Sequence, residues 1–499
     1  MRKNLGSGPY FYLLLYILSL IAYNYNEKKV TEDFMETQTK QRNTFTSSIG
    51  FVLAAAGSAV GLGNIWRFPY LAAKDGGGLF LLVYLVLALT FGFALLITEV
   101  AIGRKTQESP LTAYSKINSK WGFLGIFSFV VPFLIYPYYC VIGGWVMKYM
   151  FCYLAFQGEV AVADGFFGAF HTAQWQPIFY CALFAILCFI IVYKGVEHGI
   201  ERYSKILMPI LFVIVVFIAF YALFISYTDE NGVTRTGLQG AAIYFIPSFK
   251  GITFKGFLMV ILDAMGQLFY SLSIAMGIMI AYGSYMRKDE NLAKSINKIE
   301  IFDTGIAILA GMMIIPAIFV FSGKEGMTAG PSLMFITLPK VFNSLGKFGE
   351  FIGLIFFVMV MFAALTSAVS ILEAITSSMM DKFKWSRKKS CVIMAASTFI
   401  ISIIVCLGYN VFYFDLKLPN GGIAQILDVL DYASMNVLMP ILSILTCILI
   451  GWIAKPKTTI DEITLNGEDF KRKGLYVVMI KFVAPILLFI LLLTGIGII

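Results

Sequence analysis

Long apolar runs recur along the chain from about residue 48 onward, separated by short polar or charged stretches; Leu79–Ile97, Pro177–Tyr193, Met208–Ile225 and Val478–Ile499 are four of them. A spanning helix needs ~20 apolar residues, and inside lipid only helices or closed barrels satisfy their own backbone. Barrel strands would read as short alternating segments, which this pattern lacks. The pattern predicts an all-α integral membrane protein of eleven helices, starting near residues 48, 79, 122, 176, 203, 256, 297, 347, 388, 422 and 474. Composition agrees: 59% of the 499 residues are hydrophobic and 13% charged, far from soluble norms, so no separate soluble domain is expected.

Charge changes the picture by its placement. The net charge of +9 would suit a nucleic-acid partner, yet the basic residues gather in alternate loops. Arg104, Lys105, Lys116 and Lys120 are followed by Lys194, Arg202 and Lys205, then Arg287 to Lys298, the Lys382–Lys389 cluster, and Lys455 to Lys473. The loops between carry few, and Phe151–Gln176 has no Lys or Arg. Basic loops stay in the cytoplasm, which predicts the N-terminus inside, the C-terminus outside and no nucleic-acid partner. All seven cysteines lie in or beside apolar segments, so no disulfide framework is expected, and the absence of an Asn-X-Ser/Thr sequon leans towards a prokaryotic source. Residues 1–41 read as an N-terminal extension. Their apolar Tyr10–Tyr23 stretch is short for a span and lacks a cleavage site, and Met35 offers an alternative start.

Two helices depart from the ordinary. Helix 1 contains Gly57-Ser-Ala-Val-Gly-Leu-Gly-Asn64-Ile-Trp-Arg67, and helix 6 contains Gly266-Gln-Leu-Phe-Tyr-Ser-Leu-Ser-Ile-Ala-Met-Gly277. Glycine lets a helix unwind, and the freed carbonyls and amides then need partners. Small residues also serve close helix packing, which would account for Gly57 and Gly61 on one face but not for Asn64 and Arg67 at membrane depth. Two helices unwound at mid-membrane, five helices apart, imply two inverted five-helix repeats. Residues 42–228 would hold helices 1–5, 229–453 helices 6–10, and 454–499 a cytoplasmic link and helix 11. In such proteins the binding site lies where the broken helices meet. A channel would need an open pore, and an intramembrane enzyme has little support with only His171 and His198, both in loop regions.

These residues, with Gly76-Gly-Gly78, Glu99-Val-Ala-Ile-Gly-Arg104, Gln267–Ser273 and Ala363-Ala-Leu-Thr-Ser367, resemble the neurotransmitter:sodium symporter family from about residue 42 to the end. The resemblance is nearest to its bacterial eleven-helix amino-acid transporters, similar to the leucine transporter. It implies sodium-coupled uptake of an amino acid by alternating access at a bacterial cytoplasmic (inner) membrane, with two sodium ions and no organic cofactor. One sodium site would use Ala59, Asn64, Ser271 and Asp303, completed by the substrate carboxylate; each ligand then favours the other. The second would use Gly57, Val60, Ala363, Thr366 and Ser367, although Ser and Thr hydroxyls alone more often bond back to their own helix. Asp303 replaces the family's more usual Asn, and Ala307 stands where chloride-dependent members have a hydroxyl, which implies chloride independence.

By the same resemblance Gly61, Leu62, Gly63 and Tyr139 would hold the substrate carboxylate, with Ser273 near its amino group. Amine-carrying members have aspartate at the position of Gly61, so glycine implies an α-amino acid. Ile135, Phe269, Tyr270, Met276, Ser370 and Ile371, with Ala275 beneath, would form an apolar pocket suited to an apolar or aromatic side chain. Arg67 and Asp431, with Gln267, would form the outer gate, and Arg42, Asp381 and Tyr285, with Phe45, the inner one. Glu99 is expected to accept amides from the opened helix 6; Asp263, Glu373 and Asp428 have no assigned role, and proton coupling through one of them stays open. Longer members have a twelfth helix that this sequence lacks, and a monomer or weak dimer is expected. A sensor on the same fold, or a proton-assisted amino-acid transporter, are the alternatives.

Overall fold

The computed structural model describes residues 44–229, 232–249, 251–323 and 332–498; Arg42 and the N-terminal extension lie outside this range. Nine of the helices among the described residues are long and apolar enough to cross a membrane. They are Gly78–Thr106 (helix 2), Ser119–Leu154 (helix 3), Gln176–Tyr193 (helix 4), Val196–Phe224 (helix 5), Leu292–Ser322 (helix 7), Lys347–Phe383 (helix 8), Arg387–Leu407 (helix 9), Ile426–Ile453 (helix 10) and Lys473–Gly495 (helix 11). Ser48–Ala59 and Gly63–Lys74, bent by 54° where they meet, make a tenth if taken as one span (helix 1). The eleventh expected position is held by Phe254–Ser271 and Ile278–Ser284 (helix 6). Lys255, Asp263 and Gln267 dilute its apolar character, so the apolar spans number ten against eleven expected.

The chain leaves the helical path at residues 60–62 and again at 272–277, within the two glycine-bearing strings. At the second break Ser273 (φ 53°), Ala275 (φ 61°) and Gly277 (φ 68°) adopt left-handed backbone, which costs little for glycine but is unusual for the other two. Helix 5 starts earlier than expected: Gly195 (φ 95°) turns the chain, and a wide turn over Val196–Glu201 leads into Arg202–Phe224. Pro209 lies inside that helix, ten residues after Gly199.

Helix 3 packs along helix 8, and helices 5, 7 and 8 enclose the first half of helix 1. Helix 4 and helix 11 bury only 33% and 22% of their apolar windows, so they sit at the periphery, where lipid can cover the rest. At the end of the bundle that carries the basic loops, Arg104 is fully buried. Its Nε donates to Glu462 Oε1 at 2.9 Å, its guanidinium reaches the Glu290 carbonyl at 2.6 Å, and Lys288 joins the same Glu462 oxygen at 2.9 Å. Tyr476 adds bonds to Thr98 (3.1 Å) and Thr459 (2.7 Å). All seven cysteines are free and buried. The opposite end carries short hairpins at Ser226–Thr236 and Leu416–Ala424.

Candidate functional site

The break in helix 1 brings Asn64 against helix 7. Asp303 is fully buried, and its carboxylate accepts from Asn64 Nδ2 at 2.9 Å, Ser271 Oγ at 2.5 Å and Tyr84 OH at 3.3 Å. A carboxylate taken out of water is expensive unless donors surround it, and these three are neutral. Asn64 Oδ1 is buried and has no hydrogen-bond partner among the described residues. Four oxygen-bearing groups thus converge, one aimed at nothing, and the set suits a hard monovalent cation as a transported ion. Ala59, whose carbonyl was expected here, is buried at the end of the first half of helix 1. Tyr84, in an apolar run of helix 2, was not anticipated; the clue was its hydroxyl, which a buried tyrosine must satisfy.

The predicted second cluster lies on the other side of helix 1. Ser367 Oγ on helix 8 donates to the carbonyls of Gly57 (3.3 Å) and Ser58 (3.0 Å). Thr366 Oγ1 bonds back to Phe362 (2.9 Å) and Ala363 (3.2 Å) in its own helix, while a Cβ at Gly57 would stand 3.2 Å from the Thr366 Cβ. Gly57, Thr366 and Ser367 are therefore neighbours, with Val60 capping the helix end beside them. Ser58 is the residue that sequence reasoning missed. Its carbonyl accepts from both Ser367 and Ser273 (3.1 Å), and its hydroxyl pairs with that of Ser273 at 3.0 Å.

Between the clusters lies a cavity of about 290 Å³, counted to its mouth, lined by Gly61, Ile135, Tyr139, Tyr270, Met276 and Ile371, with Ser58, Ala59, Ser273 and Ser367 at its polar edge. The Leu62 amide donates to Tyr139 OH at 3.4 Å. A Cβ on Gly61 would stand 2.8 Å from Ser367 Oγ and 3.0 Å from Tyr139 OH, and one on Gly63 would strike the Tyr270 ring at 2.1 Å. Both glycines leave room that any side chain would fill. Phe269 and Ser370 stand apart from this lining: Phe269 packs on Phe91 (5.8 Å), and the Ser370 hydroxyl accepts from Tyr282 (2.7 Å) and donates to the Thr366 carbonyl. Glu99 Oε1 takes the Ala275 amide at 2.7 Å, as expected of a carboxylate facing the open turn of helix 6.

The proposed gates are partly assembled. Gln267 Nε2 donates to the Gly63 carbonyl at 3.1 Å, tying the two broken helices together. Asp431 accepts from Tyr138 OH at 2.9 Å instead of forming a close ion pair with Arg67, which points towards Gly266. At the other end Tyr285 OH donates to Glu373 (2.7 Å), Glu373 pairs with Arg387, and Phe45 packs edge-on against Tyr285 (6.3 Å). Asp381 takes the Ser109 amide at 2.6 Å. The other unassigned acids also find partners, Asp263 with Lys74 (2.6 Å) and Asp428 with the Gln425 amide (2.9 Å).

Helices that break around buried oxygens and an internal cavity define a multi-pass membrane transporter. A profile of the sodium:neurotransmitter symporter family matches residues 42–164 and 168–498, and the chain belongs to that family. It is 31% identical to an uncharacterized sodium-dependent transporter of Haemophilus influenzae, over 92% of this chain and all of that protein. It is 32% identical to the uncharacterized sodium-dependent transporter YhdH of Bacillus subtilis, over 91% and 98%. A human sodium- and chloride-dependent GABA transporter 2 is 26% identical over 87% of this chain and 77% of its own. The crystal structure of MhsT in complex with L-phenylalanine superposes with a TM-score of 0.79 at 35% identity, covering 91% of this chain and all of MhsT. The protein is a sodium-coupled transporter, not an enzyme.

Proposed function

We propose that the protein carries an α-amino acid with an apolar or aromatic side chain into the cell together with sodium, by alternating access and without need of chloride. The observation that carries this reading is the convergence of Asn64, Ser271 and Asp303, with the unpartnered Asn64 Oδ1, beside a cavity that Gly61 keeps open. A substrate carboxylate seated at Gly61–Gly63 and Tyr139 would face that cluster, so a cation there and the carboxylate stabilise each other. Ile135, Tyr270, Met276 and Ile371 supply an apolar wall, and Met276 adapts to more than one shape. Asp303 brings a fixed negative charge, while the next turn of helix 7 offers only buried Ala307, with no donor for chloride. The second ion would sit among the Gly57, Val60 and Ala363 carbonyls with Thr366 and Ser367, sharing Ser58 with the substrate cavity.

Helices 1–5 and 6–10 form the two inverted repeats, with the breaks in helices 1 and 6 at mid-membrane. The basic loops support an N-terminus on the inner side of a bacterial cytoplasmic membrane. Uptake of labelled amino acids into proteoliposomes tests the reading. Saturable, concentrative uptake that requires inward sodium and persists when gluconate replaces chloride is expected. Folded protein that binds an amino acid without moving it would identify a sensor, and uptake that collapses without chloride would remove the role given to Asp303.

A further inference from the structure

A second cavity, well away from the transport site, enclosing about 750 Å³ and open to solvent, lies where the 454–472 link meets the start of helix 7. Lys294, Asn297, Lys471 and Arg472 line it above a floor of Phe93 and Phe470, and Asp469 stands at its side. Arg472 is committed elsewhere: it pairs with Glu300 at 2.8 Å, bonds to Asn297, and lies 3.4 Å over the Phe93 ring. Lys294 and Lys471 are exposed, and neither ammonium has an ion-pair partner among the described residues. The wall therefore presents two cations without close ion-pair partners on an aromatic-backed base, and Asp469 leaves the lining net positive.

The surroundings distinguish this groove from a patch facing water. Arg472 also donates to the Leu89 carbonyl at 3.1 Å, so the groove reaches the lipid-facing side of helix 2. Leu89 (53% exposed), Ile301 (70%) and Val478 (50%) lead away from it along helices 2, 7 and 11. Cations at the mouth with exposed apolar residues on three spans beside it match an amphiphile with an anionic head and acyl tails.

We infer that this groove binds the phosphodiester headgroup of an anionic phospholipid, with Lys294 and Lys471 on the phosphate, Asn297 as a further donor, and the acyl chains along Leu89, Ile301 and Val478. A bound lipid would also join the link to the start of helix 7. The site is basic and sits among the loops that carry the chain's cytoplasmic charge signal, where anionic lipid surfaces attract Lys and Arg.

Native mass spectrometry of the detergent-purified full chain, titrated with phosphatidylglycerol or with phosphatidylcholine, reads this directly. Wild type should retain at least one phosphatidylglycerol with about tenfold preference over phosphatidylcholine. The double variant Lys294→Gln/Lys471→Gln should lose that preference while melting at the wild-type temperature in lipid-free detergent. Single Lys105→Gln, another basic-loop change, should leave it intact and so controls for general charge. Equal retention by the double variant, or equal loss in Lys105→Gln, would overturn the assignment. Displacement of the lipid by millimolar inorganic phosphate or glycerol phosphate would also overturn it, marking a soluble-anion site. If the double variant fails to fold, Asn297→Leu and Ile301→Glu provide the same readout from the head and tail sides.

Discussion

Replacing Gly61 with alanine adds one methyl group whose position the backbone fixes. Gly61 has no left-handed φ, so alanine is tolerated conformationally and the effect comes from space alone. The new Cβ would stand 2.8 Å from Ser367 Oγ and 3.0 Å from Tyr139 OH, where ordinary contacts are ~3.4–4 Å. Ser367 cannot retreat freely, because its hydroxyl holds the Gly57 and Ser58 carbonyls, and Tyr139 is tied to the Leu62 amide. Overpacking of this kind costs about 1–3 kcal/mol. If it falls on the bound state, where the substrate carboxylate competes for the same space, substrate affinity drops by about 5- to 150-fold. Sodium binding at the first site without substrate should change far less, since Asn64, Ser271 and Asp303 are untouched, whereas the second site shares Ser367 with the new contact. Equilibrium binding of labelled amino acid to detergent-purified Gly61→Ala, beside a sodium titration without substrate, separates these effects. Unchanged amino-acid affinity would refute the placement of the carboxylate at Gly61.

Asp303→Asn keeps the shape but removes the charge, and should raise the sodium concentration for half-maximal uptake by about 10- to 100-fold, the range of one lost charge-assisted contact; uptake measured against sodium checks it. Glu99→Leu leaves the Ala275 amide buried without an acceptor, an expected cost of about 1–3 kcal/mol, read as a lower melting temperature that Glu99→Gln largely restores. Arg104→Met leaves the buried Glu462 with only the half-exposed Lys288 and should cost about 1.5–3 kcal/mol, read as a lower melting temperature. Asp75, in the turn between helices 1 and 2, is pushed up to about 7 by burial, with the Asp263 carboxylate adding to the shift. A carboxyl raised in the folded state contributes stability that is full below about pH 4 and is lost as pH rises through about 7. Thermal melts from pH 4 to 8 should therefore decline across that window, and Asp75→Asn should flatten that part of the profile.

Much of this arrangement was legible because lipid leaves a chain few choices. Helix starts near 48, 176 and 347 fall where the apolar runs begin, since a span must be long and apolar to exist at all. The breaks were legible from glycine beside Asn64 and Arg67. Helix 5 began early because a positive-φ turn at Gly195 is a matter of backbone, not of hydropathy. Helix 6 carries Lys255, Asp263 and Gln267, which dilute its apolar run, yet its expected start near 256 falls within two residues of Phe254. Ser58 and Tyr84 went unread for another reason: a hydroxyl in an apolar helix most often bonds to its own backbone, and only tertiary contact shows otherwise. Asp263 was read as a charge at membrane depth; the structure pairs it with Lys74 at the end of helix 1. The Arg67–Asp431 pair was expected from position; Tyr138 takes one oxygen of the carboxylate, and Arg67 remains an electrostatic neighbour of Asp431 without a close ion pair.

The buried Arg104 has a consequence for how the bundle can open. Because one guanidinium holds Glu462 of the link and the Glu290 carbonyl, with Lys288 on the same carboxylate, helix 2, the turn between helices 6 and 7, and the link form one rivet. Elements fastened that way cannot part from one another, so any swing that admits water at this end must run along a different seam. One such seam is at the start of helix 1, where Thr46 and Ser47 hang from the single carboxylate of Glu201, itself met by the half-exposed Lys205, while the Phe45 amide donates to the Tyr285 carbonyl at 3.0 Å. A joint made of one carboxylate and two hydroxyl residues can exchange its bonds for water almost evenly. The protein therefore keeps a fixed latch and an exchangeable joint at the same end.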